Sequence, residues 1–350
     1  MKIAVLLSGG VDSSVALRLL QEDGHDLTAF YLKIWLEDEM AFLGDCPWEE
    51  DLEYARAVCK DANIPLEIVS LQTEYLETVV GHALEELRAG RTPSPDILCN
   101  RKIKFGEFGN RIGQGFEKIA AGHYAQIVEK EGTAYLKRSP DAVKDQTYFL
   151  SGMTQDQLKQ AAFPLGHLTK DQVRELSRKY NLPNKDRKDS QGICFLGKIS
   201  YPDFVRVHLG ERVGDIVELE TGERLGQHSG FWFYTIGQRE GLGLAAGPWY
   251  VVKKDTDANT VFVSHKTHRE EQSRDRFAVS APNWISGPPE TEDLRVKLRH
   301  GPQLTPCRIE NLSNSKMAVH MSSPDPGIAS GQTAVFYDRE ICLGGGIILE

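Results

Sequence analysis

Apolar and polar positions alternate with different periods in the two halves of the chain. Ile3–Leu7 is an unbroken apolar run of five residues, too short for a membrane span or a signal-peptide core. It reads as a strand buried on both faces. Val15, Leu17, Leu19 and Leu20 lie on a helical stretch that stops at Gly24. Leu27–Trp35 is β-rich, and Leu52, Ala55, Val58 and Cys59 repeat at helical spacing. Pro65–Val69 is a short strand, Tyr75–Leu87 an amphipathic helix ending near Gly90, and Ile119–Ala121 a strand leading into Gly122. Strands separated by helices of this length predict an α/β fold with a parallel sheet, whose ligands bind beyond the carboxyl ends of its strands.

After about residue 200 the pattern becomes all-β. Val213–Leu219, Trp232–Ile236, Trp249–Lys254, Thr260–Val263, Leu294–Leu298 and Thr333–Tyr337 are short, β-rich and punctuated by Gly and Pro. The expected organisation is a nucleotide-binding α/β domain over 1–200, a small central β-rich domain over 201–275 and a C-terminal β-barrel over 276–350.

The 350 residues give ample core for two or three domains. With 40% hydrophobic and 26% charged residues, a mainly disordered chain is excluded. The net charge of −9 argues against a uniformly basic nucleic-acid binder. Its distribution is uneven. Residues 1–99 carry 7 basic and 19 acidic side chains, a net −12, and the remainder 34 and 31, a net +3. Arg178, Lys179, Lys185, Arg187, Lys188, Lys198 and Arg206 outnumber Asp186, Asp189 and Asp203. That patch is either a polyanion site or a solvated surface. The six cysteines, 46, 59, 99, 194, 307 and 342, include no C-x-x-C pair, so a zinc-finger spacing is absent. With no membrane segment, the expected location is the cytoplasm, where these cysteines stay thiols or take part in redox chemistry.

The segment Ser8-Gly9-Gly10-Val11-Asp12-Ser13-Ser14 follows the first strand and opens the first helix. Backbone N–H groups at a helix N-terminus attract anions, and glycines let a phosphate approach closely. Asp12 beside the expected phosphates suits a bridging Mg²⁺ ion. Neither the Walker A pattern nor G-x-G-x-x-G is present. The seven residues resemble the PP-loop of the ATP pyrophosphatase superfamily, which splits ATP between its α and β phosphates and passes AMP to a carbonyl-type oxygen.

Two cysteines stand beside polar turns, in Arg91–Asn100 and in Lys188–Phe195. Basic neighbours raise the thiolate fraction of such a group. These segments, with Lys144–Leu150, Thr235–Gly243, Pro248–Val252 and Cys342–Gly346, resemble the tRNA-specific 2-thiouridylases over nearly the full length. The resemblance implies ATP-dependent 2-thiolation of a tRNA wobble uridine. It places ATP, with Mg²⁺, on Leu6, Leu7, Ser8, Gly9, Gly10, Val11, Asp12 and Ser13, with Leu32 and Gly122 on the adenine and ribose side. It makes Cys194 the carrier of a persulfide and Cys99 the second catalytic thiol, closing a Cys99–Cys194 disulfide. Asp96 becomes a candidate acid or base. It assigns Ser94, Pro95 and Asp96 to the target base, and Lys144, Asp145, Gln146, Arg299 and His300 to the tRNA. Ser94 stands where many relatives carry Asn, His300 where a phenol is common, and Leu32 where Met is frequent.

The partners implied are tRNA and a sulfur-donor protein, either a cysteine desulfurase or a relay carrier. The enzyme is expected to be a monomer. The acidic surplus of the first third is expected on the face turned away from the RNA. Cys46, Cys59, Cys307 and Cys342 are expected to be structural, and His123 either structural or in contact with the nucleotide. The alternatives are another PP-loop ligase or amidotransferase, or a nucleotide-sensing protein without catalysis.

Overall fold

The computed structural model describes residues 1–34, 48–188, 200–268, 270–280, 282–312 and 315–349. Cys194 and Cys46 lie outside these residues, as does most of the acidic stretch 36–50.

The first sheet is parallel, in the order β3-β2-β1-β4-β7, from Lys2–Leu6 (β1), Asp26–Lys33 (β2), Leu66–Ser70 (β3), Lys118–Ala121 (β4) and Ala161–Ala162 (β7). The continuous apolar run of β1 is explained by its two covered faces. Ile3, Val5 and Leu7 join one core cluster, while Ala4 and Leu6 join the other. Helices Val11–Glu22 (α1) and Trp48–Ala62 (α2) supply Leu17, Leu20, Leu52, Ala55, Val58 and Cys59 to the first cluster. Helix α3 runs Gln72–Tyr75, widens over Leu76–Val80 and continues as Gly81–Arg88. Helix α4 runs Pro95–Cys99, widens over Asn100–Glu107 and ends as Phe108–Arg111. Tyr75, Val79, Ile97, Cys99, Phe105 and Phe108 from these two helices fill the second cluster. Gly24 and Gly90 end their helices at φ +76° each, the left-handed geometry that glycine takes without strain.

The central sheet, β10-β11-β8-β9, is built from Gly214–Glu218 (β8), Arg224–His228 (β9), Trp249–Asp255 (β10) and Thr260–His265 (β11). The β-rich stretch 232–236 is not a strand. Phe231–Phe233 forms a single tight turn between Gly230 and Gly237, at φ 147° and 85°. Its aromatic rings pack edge-on in the local core, Phe231 against Trp232 at 5.0 Å. Aromatic content signalled burial there, and the glycines decided the backbone.

The largest sheet has the order β12-β16-β15-β14-β17-β18-β6-β5. Its C-terminal strands are Arg274–Ser280 (β12), Asn283–Trp284 (β13, which pairs β18 off this path), Leu294–Lys297 (β14), Thr305–Asn311 (β15), Lys316–Asp325 (β16), Thr333–Asp338 (β17) and Ile341–Ile347 (β18). The remaining two, Ala125–Lys130 (β5) and Thr133–Arg138 (β6), come from the first half of the chain. Cys342 and Ile341 pair with Leu136 and Lys137, so this hairpin joins the α/β part to the barrel. Glu131 and Gly132 at its tip have φ 51° and 77°, a turn of the kind that two-residue hairpins favour. Shorter helices among the described residues include Thr147–Leu150 (α5), Gln155–Gln160 (α6), Lys170–Lys179 (α7) and Tyr201–Leu209 (α8). No helix among the described residues is long and apolar enough to cross a membrane.

Candidate active site

The strand order reverses at β1, which has β2 on one side and β4 on the other. Open α/β sheets bind ligands at such a point. The segment Ser8–Ser14 leaves β1 there, Gly122 leaves β4, and Leu32 sits at the end of β2. Gly10 caps α1 in extended conformation, and among the described residues no side chain caps the first-turn N–H groups. Those groups are donors for an anion. Gly9 has φ 75°, and a Cβ on it would fall 2.2 Å from the Asp51 carbonyl oxygen. A Cβ on Gly122 would fall 2.8 Å from the Ser13 nitrogen. Both glycines are therefore demanded by backbone approach. The side chains of Leu6, Leu7 and Val11 are buried in three different core clusters, which leaves only their backbone for a ligand. Ser8 is exposed, and its N–H donates to Ser13 Oγ at 3.2 Å. The Ser13 and Ser14 hydroxyls donate to the Gly10 carbonyl, which fixes the loop.

Asp12 is not an open ligand. Lys170 Nζ lies 2.7 and 2.9 Å from its two oxygens, and the Tyr124 hydroxyl donates to Oδ1 at 2.9 Å. Among the described residues no group of three His, Cys, Asp or Glu is placed to hold a metal. A cation at this loop would rest mainly on phosphates.

The segment before Cys194 is tied to the same loop. Asn184 Nδ2 donates to the Gly9 carbonyl at 2.7 Å and to Ser14 Oγ at 2.9 Å. Arg187 donates to the Gly9 carbonyl at 3.2 Å, pairs with Asp51 and stacks over the Tyr54 ring. Part of the basic patch is paired internally. Lys179 pairs with Glu22 at 3.9 Å, and Arg206 pairs with Asp203 and Glu211 at 2.7 Å each. The acidic first third is likewise spent in part on such pairs, through Asp12, Glu22, Asp51 and Glu86.

Asp96 and Cys99 both lie in the first segment of α4, Asp96 half-buried and Cys99 buried. Cys99 shares its core cluster with Leu6 and Ala121, the last residues of β1 and β4. The thiol-bearing helix contributes to the same large core as the ends of these two strands. Ser94, just before Pro95, hydrogen-bonds the Tyr148 side chain, and Tyr148 donates to the Thr333 carbonyl at 3.0 Å. Thr92 N–H donates to the Ser330 carbonyl at 2.8 Å. The loop around the second thiol thus docks on the C-terminal barrel.

Of the residues expected to touch tRNA, Lys144 and Gln146 are half-buried, and Arg299 and His300 are exposed. Asp145 does not fit that expectation. Its side chain has 0% exposure and accepts from Arg138 at 2.9 Å, Lys297 at 2.9 Å and Thr147 Oγ1 at 2.8 Å. Burial opposes its charge, but Lys297 and Arg138 outweigh it and hold the carboxyl below the usual range. Asp145 is a structural hub. Arg299 makes a two-point pair with Asp325, and His300 stacks on Phe149 at 4.7 Å.

Comparison with known proteins adds the lineage. Residues 1–198 match the family described as tRNA methyl transferase HUP domain, 202–265 the tRNA methyl transferase PRC-barrel domain, and 274–348 the Aminomethyltransferase beta-barrel domain. The tRNA-specific 2-thiouridylase MnmA 1 of Bacteroides thetaiotaomicron is 45% identical over 99% of both chains. The tRNA-specific 2-thiouridylase MnmA of Parabacteroides distasonis is 44% identical over 100% of this chain and 99% of its own. The chain belongs to the tRNA-specific 2-thiouridylase family. Among solved structures, the U34-tRNA thiolase NcsA from Methanococcus maripaludis covers 59% of this chain and 63% of its own, at 20% identity and a TM-score of 0.36.

In this member of the thiouridylase family, Tyr124, Lys170 and Asn184, which bond to the phosphate loop, carry no local signal in the sequence. Lys170 opens a helix behind a Thr169–Gln172 capping box, a pattern that reads only as a helix start. Cys59, Cys307 and Cys342 are buried, and burial pushes their thiols up to about 11, 12 and 12. Inert neutral thiols of this kind fit a packing role.

His123 follows Gly122 and lies against Phe105 and Phe163. Its buried Nδ1 meets no partner among the described residues. Burial, reinforced by Lys104, pushes its pKa down to about 3. A neutral folded histidine favours the native state fully above the unfolded value of about 6.5, and that contribution is lost as pH falls below it. At pH 5 the loss is about 2 kcal/mol. The thermal midpoint of His123→Phe is therefore expected to fall less between pH 7 and pH 5 than that of the parent enzyme. Parallel curves would refute the assignment.

Proposed function

We propose that this enzyme carries out ATP-dependent 2-thiolation of the wobble uridine of tRNA. The observation that carries the reading is a phosphate loop at the switch point of the parallel sheet, in a chain that matches a thiouridylase over 99% of both lengths. Methyl transfer, the wording of two matched family descriptions, has no use for an ATP-splitting loop.

The free N–H groups of α1, together with Gly9 and Gly122, suit an ATP triphosphate. Magnesium would neutralise charge on those phosphates, with Asp12 as its protein ligand once Lys170 yields the carboxylate. Splayed from the anticodon stack, the uridine offers its C2 oxygen to the α-phosphorus. Pyrophosphate leaves, and the oxygen becomes a phosphate ester. Without this step the oxygen is a very poor leaving group.

The terminal sulfur of a Cys194 persulfide then attacks C2, and AMP departs with the oxygen. Cys99 thiolate attacks the Cys194 Sγ. The S–S electron pair passes to the sulfur on C2, which leaves as 2-thiouridine. A Cys99–Cys194 disulfide remains, and an external thiol reductant restores both thiols. Asp96 stands beside the target base as the candidate proton carrier. Ser94, Pro95, Lys144, Gln146, Arg299 and His300 hold the RNA, and binding is expected to weaken as salt rises. A cysteine desulfurase or relay carrier supplies the sulfur to a monomeric, cytoplasmic enzyme.

The test is nucleoside mass spectrometry of unmodified tRNA incubated with the protein, ATP, Mg²⁺ and a persulfide source. A 2-thiouridine peak that requires ATP supports the reading. Pyrophosphate release without sulfur incorporation, with another acceptor consumed, would overturn it in favour of a PP-loop ligase.

A further inference from the structure

The C-terminal barrel and the phosphate loop are joined by a continuous series of hydrogen bonds. On the barrel, Lys297 is fully buried, with Nζ 2.9 Å from Asp145 Oδ2 and 5.3 Å above the Tyr337 ring. Three residues further, His300 Nε2 lies 3.2 Å from the Asp145 carbonyl. Arg138, from the hairpin that joins the two parts, meets the same Asp145 oxygen as Lys297. Asp145 is thereby held from the barrel side through both its carboxylate and its backbone.

Two arms lead from this hub to Asp12. Next along the chain, Gln146 grips Tyr124 twice: its N–H donates to the Tyr124 carbonyl, and its Oε1 accepts from the Tyr124 N–H, both at 3.0 Å. Tyr124 then donates its hydroxyl to Asp12 Oδ1 at 2.9 Å. In the second arm, Asp145 N–H donates to the Asp141 carbonyl at 2.8 Å, and Asp141 Oδ2 accepts from Lys170 N–H at 3.0 Å. Lys170 Nζ closes on Asp12. Both arms end on one carboxylate at the mouth of the phosphate loop. Both begin next to Lys144, Arg299 and His300, which the proposed function assigns to tRNA.

A buried ion pair is a poor means of gaining stability, because an apolar pair of similar volume often serves as well or better. Its use here is better explained by geometry. Lys297 sets the position of a short polar segment, not of a packed surface.

We propose that Lys297, acting through Asp145, Gln146 and Tyr124, is a positioning residue that couples tRNA bound on the barrel to the ATP site at Asp12. The inference rests on the proposed function. Each ligand then strengthens the other by one common factor, as linkage requires.

The experiment measures the affinity of an ATP analogue with a methylene bridge between its α and β phosphorus atoms, with and without unmodified tRNA. The full-length protein is used, and the tRNA affinity is measured reciprocally. The parent enzyme is expected to bind the analogue on the order of 5–150-fold more tightly with tRNA present. Lys297→Met is expected to bring that factor to within about twofold of one, with the affinity for the analogue alone unchanged, a pattern that general loss of structure would not give. Tyr124→Phe, which removes only the hydroxyl at Asp12, is expected to lower the factor by at least about half, the Lys170 arm remaining. Where Lys297→Met fails to fold, Tyr124→Phe decides alone, and retention of the full factor overturns the proposal. A folded Lys297→Met enzyme with the parent factor overturns it as well. A parent enzyme that binds both ligands with a factor of one overturns the coupling and leaves the proposed function standing. One that binds neither overturns both.

Discussion

Cys194→Ser is expected to abolish 2-thiouridine formation, by at least about a thousandfold, while ATP binding and pyrophosphate release persist. A serine hydroxyl cannot carry a sulfane sulfur, so the activated uridine would form and then hydrolyse or return. Cys99→Ser is expected to stop the reaction one step later. The first S–C2 bond can still form, but no thiolate attacks Cys194 Sγ, and the tRNA stays attached to the protein. The two variants are therefore separable by non-reducing denaturing electrophoresis with labelled tRNA, run after a single turnover without added reductant. A covalent complex should accumulate with Cys99→Ser and be absent with Cys194→Ser. Full thiolation by Cys194→Ser would remove that residue from the pathway. A covalent complex in neither variant would remove the order of steps. Cys99 is buried at the end of the first segment of α4, and serine differs from cysteine by one atom, so the fold should tolerate the change.

Asp145→Ala is expected to be strongly destabilising. It would leave Lys297 buried without its carboxylate and Arg138, 10% exposed, short of a partner. Breaking such a pair costs about 3–5 kcal/mol, which corresponds to a fall in melting temperature on the order of 10 °C. The double variant Asp145→Leu/Lys297→Met should recover part of that loss, because the buried ammonium is gone and Arg138 keeps, among the described carboxylates, only Glu340 at 3.7 Å. The pH dependence follows from the direction of the shift. The folded carboxyl sits below its usual value, so its contribution is complete above about pH 4 and is lost as pH falls through the folded value. If Asp145→Ala melted with the parent enzyme, the carboxylate would be no hub.

Much of the α/β half could be read from its pattern. The apolar run at Ile3–Leu7, the glycine stops at Gly24 and Gly90, and the strand leading to Gly122 are local signals. They arise from side-chain periodicity and backbone freedom, which neighbouring residues alone decide. The phosphate loop was legible for the same reason, since seven adjacent residues carry it. The stretch 232–236 misled because aromatic residues are common both in strands and in tight buried turns. The Glu131-Gly132 hairpin had a usable turn signal, yet no local feature says which sheet it joins.

Spacing along the chain determined which chemistry is present: a strand, a glycine loop and a helix in order, with two cysteines each beside a polar turn. It did not determine which charges are used up in holding the molecule together. By the family resemblance Asp145 reads as a tRNA contact between Lys144 and Gln146, and only the fold brings Lys297 to it across 152 residues. Asp12 reads as a metal ligand, and only the fold closes Lys170 on it across 158 residues. Both outcomes depend on burial and on the approach of distant strands. Those are properties of packing in three dimensions, where a charge must find a partner or leave the core.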